Sequence, residues 1–307
     1  MRQYAIVCPG QANQSPAMFD FAAADPRGAA VLQSFGDLVA RARQGQGLFD
    51  NAFAQPALVA LASANWAVLQ PQLPPPALYA GYSVGELSAW GCAGAWQPPC
   101  AAEAAAVRAR LMDRHTPPGC GMLAVRGLPV ETLTALASGT HLAIVNDSDH
   151  AVLAGADADL VAAQARLRAR GAWTRRLEVQ VPSHTALLGD AARAFGAWLA
   201  RRPTNEPTAP VLRGIDGRCC RRGADAPEAL QRAVSETIRW EDCMRAIVES
   251  GVRVVLELGP GRSLSEMFMQ AYPGMVARSV ADFRSARGVA DWLARALSSQ
   301  AGPQAGP

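Results

Sequence analysis

Short uninterrupted apolar runs, separated by alanine-rich or amphipathic stretches, set the rhythm of this chain. Tyr4 to Cys8 predicts a buried strand that stops at Pro9-Gly10, and the polar Gln11-Ala12-Asn13-Gln14 leads toward a helix near Ala17. A second buried strand is predicted at Ala77 to Ala80, after Pro74-Pro75-Pro76, with helical segments before it, notably Pro56 to Leu69. A third, Val252 to Leu258, ends in Gly259-Pro260-Gly261 and leads into a helix over Ser263 to Ala271. Apolar strands alternating with helices indicate a parallel sheet covered on both faces.

The middle of the chain changes period. Met122 to Val125, His141 to Val145, Ala151 to Ala154 and Trp173 to Val179 read as strands, and Val130 to Ser138 and Asp157 to Arg170 as helices. That order, βαββαβ, is the split pattern of a ferredoxin-like unit. The expected organisation is therefore a small subdomain, 122–180, inserted into a larger α/β domain made of 1–121 and 181–297. The small, Pro/Gly-rich stretch 298–307 is expected to be a disordered tail. An insertion creates a cleft at its junction, and clefts between domains favour ligands.

Composition narrows the chemistry. The 307 residues are half hydrophobic with a net charge of +3, which excludes extended disorder and gives no field for nucleic acid. All 29 cationic Lys/Arg side chains are arginine, so Schiff-base, Walker A, biotinyl and lipoyl lysines are excluded. Seven scattered cysteines without a CxxC pair argue for a reduced compartment and no structural metal site. Cys219 and Cys220, flanked by arginines, are expected in a surface loop without a role. The N-terminal apolar run is too short for a signal peptide or a span, so a cytoplasmic protein with no membrane partner is expected.

Immediately after the second strand stands Gly81-Tyr82-Ser83-Val84-Gly85-Glu86, followed by a helical run. Gly-x-Ser-x-Gly between a strand and a helix lifts a serine hydroxyl onto a sharp turn. It also leaves the Val84 amide at a helix N-terminus, where it can meet a developing oxyanion. The plain alternative is a glycine-rich βα turn. Ser83 needs a base, and the chain offers His115, His141, His150 and His184. His115 is placed at a helix end, His141 at a strand start and His150 in a hairpin, whereas His184 lies where the small unit returns to the large one. His184 is therefore the expected base.

Four separated segments resemble one family in order and spacing: Gly10-Gln11-Ala12-Asn13-Gln14, the Ser83 motif, Val181-Pro182-Ser183-His184, and Glu257-Leu258-Gly259-Pro260-Gly261. The chain is similar, from about residue 4 to about residue 270, to malonyl-CoA:acyl carrier protein transacylases. The resemblance implies an α/β-hydrolase-like catalytic domain with a ferredoxin-like insert, agreeing with the rhythm above. It implies a Ser83–His184 dyad in which the backbone carbonyl of Ala233, counted back from Trp240, orients the imidazole. It implies a second oxyanion amide from Gln11, and Arg108 as partner of the malonyl carboxylate. Guanidinium suits that task because it offers two parallel donors; on composition alone, a helix arginine is a solvated side chain.

The resemblance further implies malonyl-CoA as donor, no bound cofactor or metal, and a phosphopantetheinylated acyl carrier protein as partner. Two positions depart from the family pattern. Tyr82 stands where histidine is usual, and His150 replaces a glutamine four residues after Asn146; Tyr82 and Asn146 are expected at the substrate site. The carrier could serve fatty acid synthesis, polyketide assembly or malonate decarboxylation. A Ser-His-Asp hydrolase recruiting Asp147, and a noncatalytic docking subunit, are the other readings the residues leave open.

Overall fold

The computed structural model describes residues 3–299. Eleven strands are labelled in chain order: β1 (Tyr4–Cys8), β2 (Leu78–Gly81), β3 (Cys120–Arg126), β4 (His141–Asp147), β5 (His150–Ala156), β6 (Trp173–Arg176), β7 (Val211–Leu212), β8 (Cys219–Cys220), β9 (Ile238–Arg239), β10 (Val254–Glu257) and β11 (Val276–Ser279). They form two sheets. A six-stranded sheet runs β11-β10-β1-β2-β7-β8, parallel except for the edge pair β7 and β8. A five-stranded sheet runs β6-β3-β5-β4-β9.

The first four strands of the second sheet have the ferredoxin-like order, and helices Val130–Leu136 and Asp157–Arg168 supply its crossovers. The fifth was not visible in the apolar pattern. Strand β9 comes from beyond the return of the chain, yet it pairs in parallel with β4 through Ile144 with Ile238 and Val145 with Arg239. Two residues are too short to register as a run, and only the fold brings them to the open edge. The expected strand over Trp173 to Val179 is correspondingly shorter, ending at Arg176.

The helix expected from Pro56 begins at Asn51 and runs to Leu69, buried on nearly every face. Among the described residues, Asn51–Gln72 is the one helical stretch long and apolar enough to cross a membrane, and 89% of that window is buried within the fold. A helix apolar all round is a core helix when other elements cover it, and Pro98–His115 packs along it. Two expectations change. Cys219 and Cys220 form β8, paired with Leu212 and Val211, with Cys220 buried, because the chain reverses there to close the sheet edge. The C-terminal helix Ala286–Ser299 reaches two residues into the stretch expected to be disordered; the remaining tail lies outside the described residues.

Where the chain crosses between the sheets, a cavity of about 580 Å³ is lined by both connections, Gly119 and Gln180 among them, and by Asp113 and Asp157 of the helices beside them. The Ser83 and His184 side chains do not line it.

Candidate active site

Strand β2 ends at Gly81 and helix Val84–Cys92 begins three residues later, so the chain must reverse within Tyr82 and Ser83. Ser83 takes φ 58°, ψ −120°, a left-handed conformation that a non-glycine residue adopts at a cost of about 1–3 kcal/mol. The glycines make the turn possible by close approach. A Cβ on Gly81 would stand 2.0 Å from the Gly85 backbone, and one on Gly85 would stand 2.0 Å from the Cys8 carbonyl oxygen. The loop after β1 packs on the same turn, since a Cβ on Gly10 would meet the Tyr82 carbonyl at 3.0 Å and Ser83 Cβ at 3.5 Å. Gln11 thus follows directly from a residue in contact with the elbow, and the Val84 amide opens a nine-residue helix.

Among the described residues, His184 joins Ser83 as a non-glycine residue with positive φ, at 63°. It is held by the last turn of helix Ala226–Ser235, whose terminal carbonyls lack partners within the helix. The His184 amide donates to the Val234 carbonyl at 3.0 Å, and the ring Nδ1 lies 2.5 Å from the Ala233 carbonyl oxygen. A carbonyl can only accept, so Nδ1 carries the proton and Nε2 presents its lone pair. That lone pair lies 2.8 Å from Ser83 Oγ. Burial, and next the positive charge of Arg108, push the imidazole down to about 3, opposed by the Ala233 bond. The ring is therefore a free base near neutrality. No carboxylate occupies the Nδ1 side, which leaves the Ser-His-Asp arrangement with Asp147 without a place.

Arg108, on helix Pro98–His115, is 2% exposed, whereas Arg110 two residues on is exposed. Its Nη1 donates to Gln55 Oε1 at 2.6 Å, and Nη2 is buried without a partner. Gln55 is fixed in turn, its amide donating to Asn51 Oδ1 at 2.6 Å. Burial lowers the guanidinium to about 10, with Glu86 opposing. A buried cation with an unused donor can hold an anionic group. The sequence assigns no role to Gln55 or to Glu86. The signals are a polar residue inside an apolar helix and the acid that closes the Gly81–Glu86 segment.

Tyr82 faces Asn146 and packs edge-on against Trp240 at 5.6 Å, and burial raises its hydroxyl so that it stays protonated. Asn146 is buried, and its Nδ2 donates to His150 Nε2 at 3.2 Å. His150 stands at the expected hairpin, opening β5 directly after the turn from β4, but it is not a surface residue. A bulged pairing between β4 and β5 sets Asp147 opposite it and turns the ring, half-buried, onto Asn146. Burial, then Arg126, push it down to about 4. His115 ends its helix and His141 is exposed at the start of β4. The imidazole on Ser83 is that of His184.

Comparison with known proteins extends beyond these side chains. Residues 21–297 match the model of the acyl transferase domain family. The malonyl CoA-acyl carrier protein transacylase of Haemophilus influenzae is 32% identical over 314 aligned positions, covering 95% of this chain and all of the relative. A malonyl-transacylase solved with a type II polyketide acyl-carrier protein superposes with a TM-score of 0.88 at 31% identity, covering 94% of this chain and 99% of that one. The transacylase of Coxiella burnetii superposes at 0.89 with 25% identity, over 96% and 98% of the two chains. Because the likeness runs through both sheets and not merely the serine turn, the chain belongs to the acyl transferase family and stands among its malonyl CoA-acyl carrier protein transacylases.

Proposed function

We propose that this acyltransferase moves a malonyl group from malonyl-CoA to the phosphopantetheine thiol of an acyl carrier protein through an ester on Ser83. The observation that carries the reading is the 2.8 Å contact between Ser83 Oγ and the unprotonated Nε2 of a buried imidazole on a strained turn. As Oγ attacks the thioester carbonyl, its proton passes to Nε2, and the Ala233 carbonyl stabilises the imidazolium that forms. The Val84 and Gln11 amides receive the oxyanion. Collapse breaks the C–S bond, the proton on Nε2 goes to the departing CoA sulfur, and the ester remains. The carrier thiol then gives its proton to Nε2 and attacks the ester, and Ser83 recovers the proton as it leaves.

Arg108 assigns the acyl group in this reading. Its buried, unpartnered Nη2 pairs with the free carboxylate of malonyl, which acetyl lacks. Tyr82 of the serine turn and Asn146 of the small sheet face each other beside the nucleophile. The test is mass spectrometry of the intact chain after mixing with malonyl-CoA, with peptide mapping. One malonyl group on Ser83, discharged by a phosphopantetheinylated carrier protein and absent in Ser83→Ala, is expected. An unmodified Ser83 refutes the proposal.

A further inference from the structure

The reaction steps leave the acid nearest the nucleophile in sequence without a task. Glu86 follows Ser83 by three residues, in the first turn of helix Val84–Cys92, and is 0% exposed. Its Oε2 accepts the Gly214 N–H at 3.0 Å, and its Oε1 is buried without a partner. Gly214 lies in the loop after β7, and its own carbonyl accepts the Arg239 N–H at 2.8 Å. Arg239 belongs to β9 and is in register with Val145 on β4. The next residue on β4 is Asn146, which faces Tyr82, the neighbour of Ser83. These contacts form a closed ring from the serine turn through Glu86, Gly214, Arg239 and Asn146 back to Tyr82. The joint is tight, since a Cβ on Gly214 would stand 2.8 Å from Glu86 Oε2 and 3.2 Å from Ile238 Cδ1.

We infer that Glu86 is a positioning residue, whose carboxyl pins the Gly214 loop and, through β9, holds Asn146, the wall of the small sheet opposite Tyr82, at a set distance from Ser83. The inference rests on the proposed role of Ser83 as the residue that takes the acyl group from the thioester. The groups facing the carboxyl are Arg108 of the neighbouring helix, Arg213 and Asp216 of the Gly214 loop, and the thiols of Cys220 and Cys243. Burial pushes the carboxyl up to about 7, so both protonation states are populated near neutrality. Oε2 accepts the Gly214 N–H in either state. A glutamine amide offers the same acceptor, whereas alanine leaves the Gly214 N–H unpaired.

The experiment compares the whole chain with Glu86→Gln and Glu86→Ala by amide hydrogen exchange and by acylation kinetics. Glu86→Ala should raise exchange roughly tenfold in peptides containing Gly214 and Arg239, the equivalent of one lost buried hydrogen bond. It should raise KM for malonyl-CoA by a similar factor. Modification of Ser83 by a small sulfonyl fluoride, which needs the dyad but not the wall, should stay within about twofold. Glu86→Gln should match the parent chain throughout. Gly214→Ala, which strains the joint from the other side, serves if Glu86→Ala does not fold.

Unchanged exchange in both Glu86→Ala and Gly214→Ala overturns the inference. So does a Glu86→Gln variant that behaves like Glu86→Ala, because the effect would then belong to charge. A matching fall in sulfonyl fluoride modification would place the damage at the dyad and overturn it as well. Exchange needs no acyl donor, so failure of malonyl-CoA as substrate would refute the proposed function while the joint is still decided.

Discussion

Replacing Arg108 by methionine together with Gln55 by leucine separates a substrate contact from a structural one. The guanidinium is buried, lowered to about 10 from 12.5 by desolvation, and held by one hydrogen bond to Gln55 with Nη2 unpartnered. At about 1.4 kcal/mol per pKa unit, the empty site carries roughly 3 kcal/mol of unfavourable charge burial. Removing both hydrogen-bond partners leaves no orphan on Gln55, and the half-buried Asn51 Oδ1, which loses the Gln55 donor, can turn to water, so that loss is small. The double variant should therefore melt no lower than the parent chain, and higher by several degrees if the whole 3 kcal/mol or so is recovered.

Selectivity should move the other way. A charge-assisted hydrogen bond to a carboxylate contributes about 1.5–3 kcal/mol. The preference of Ser83 for malonyl over acetyl should thus fall on the order of tenfold to a hundredfold. Competing malonyl-CoA and acetyl-CoA against each other, with the Ser83 adducts resolved by mass, measures this ratio, and differential scanning calorimetry measures the melting. A lower Tm with an unchanged malonyl-to-acetyl ratio would make Arg108 a structural residue and refute the reasoning.

The depressed His184 predicts that single-turnover acylation of Ser83 is flat from about pH 8 down to about pH 5, where an ordinary imidazole would lose half its base form near 6.5. Half-loss near 6.5 in stopped-flow refutes the buried free base, and the single variant Arg108→Met should move the acid limb upward by removing a depressing charge. His150 is held down to about 4 in the fold, so the unfolded chain binds more protons between about 6.5 and 4, and stability falls on acidification through that window. His150→Gln should reduce the loss between pH 7 and 5 in urea unfolding, and an unaltered slope would contradict this. Gly85→Ala places a methyl 2.0 Å from the Cys8 carbonyl oxygen, which a backbone cannot yield, and should cost more than about 3 kcal/mol; a variant melting with the parent by circular dichroism would exclude the close packing.

Local chemistry made much of this protein legible in one dimension. Apolar runs such as Tyr4–Cys8 and 254–256, bounded by turn signals or charged residues, read as strands buried on both faces, and period changes in the middle mark the antiparallel unit. The glycine spacing around Ser83 encodes its turn, because only glycine permits the 2.0 Å approaches made there. The imidazole could be picked from four because it alone stood at the return of the chain to the large sheet.

Other features exist only in three dimensions. Two residues of β9 carry no periodic signal, and they become a strand because β4 presents an unpaired edge to them. Arg108 and Arg110 are alike in sequence; helix packing against Gln55 buries one and leaves the other in water. His150 reads as a turn residue until a bulge rotates it onto Asn146. The low proton affinity of His184 and the high one of Glu86 likewise belong to no residue type. Each follows from exclusion of water and from the charges the fold brings near, which depend on distances between segments far apart along the chain.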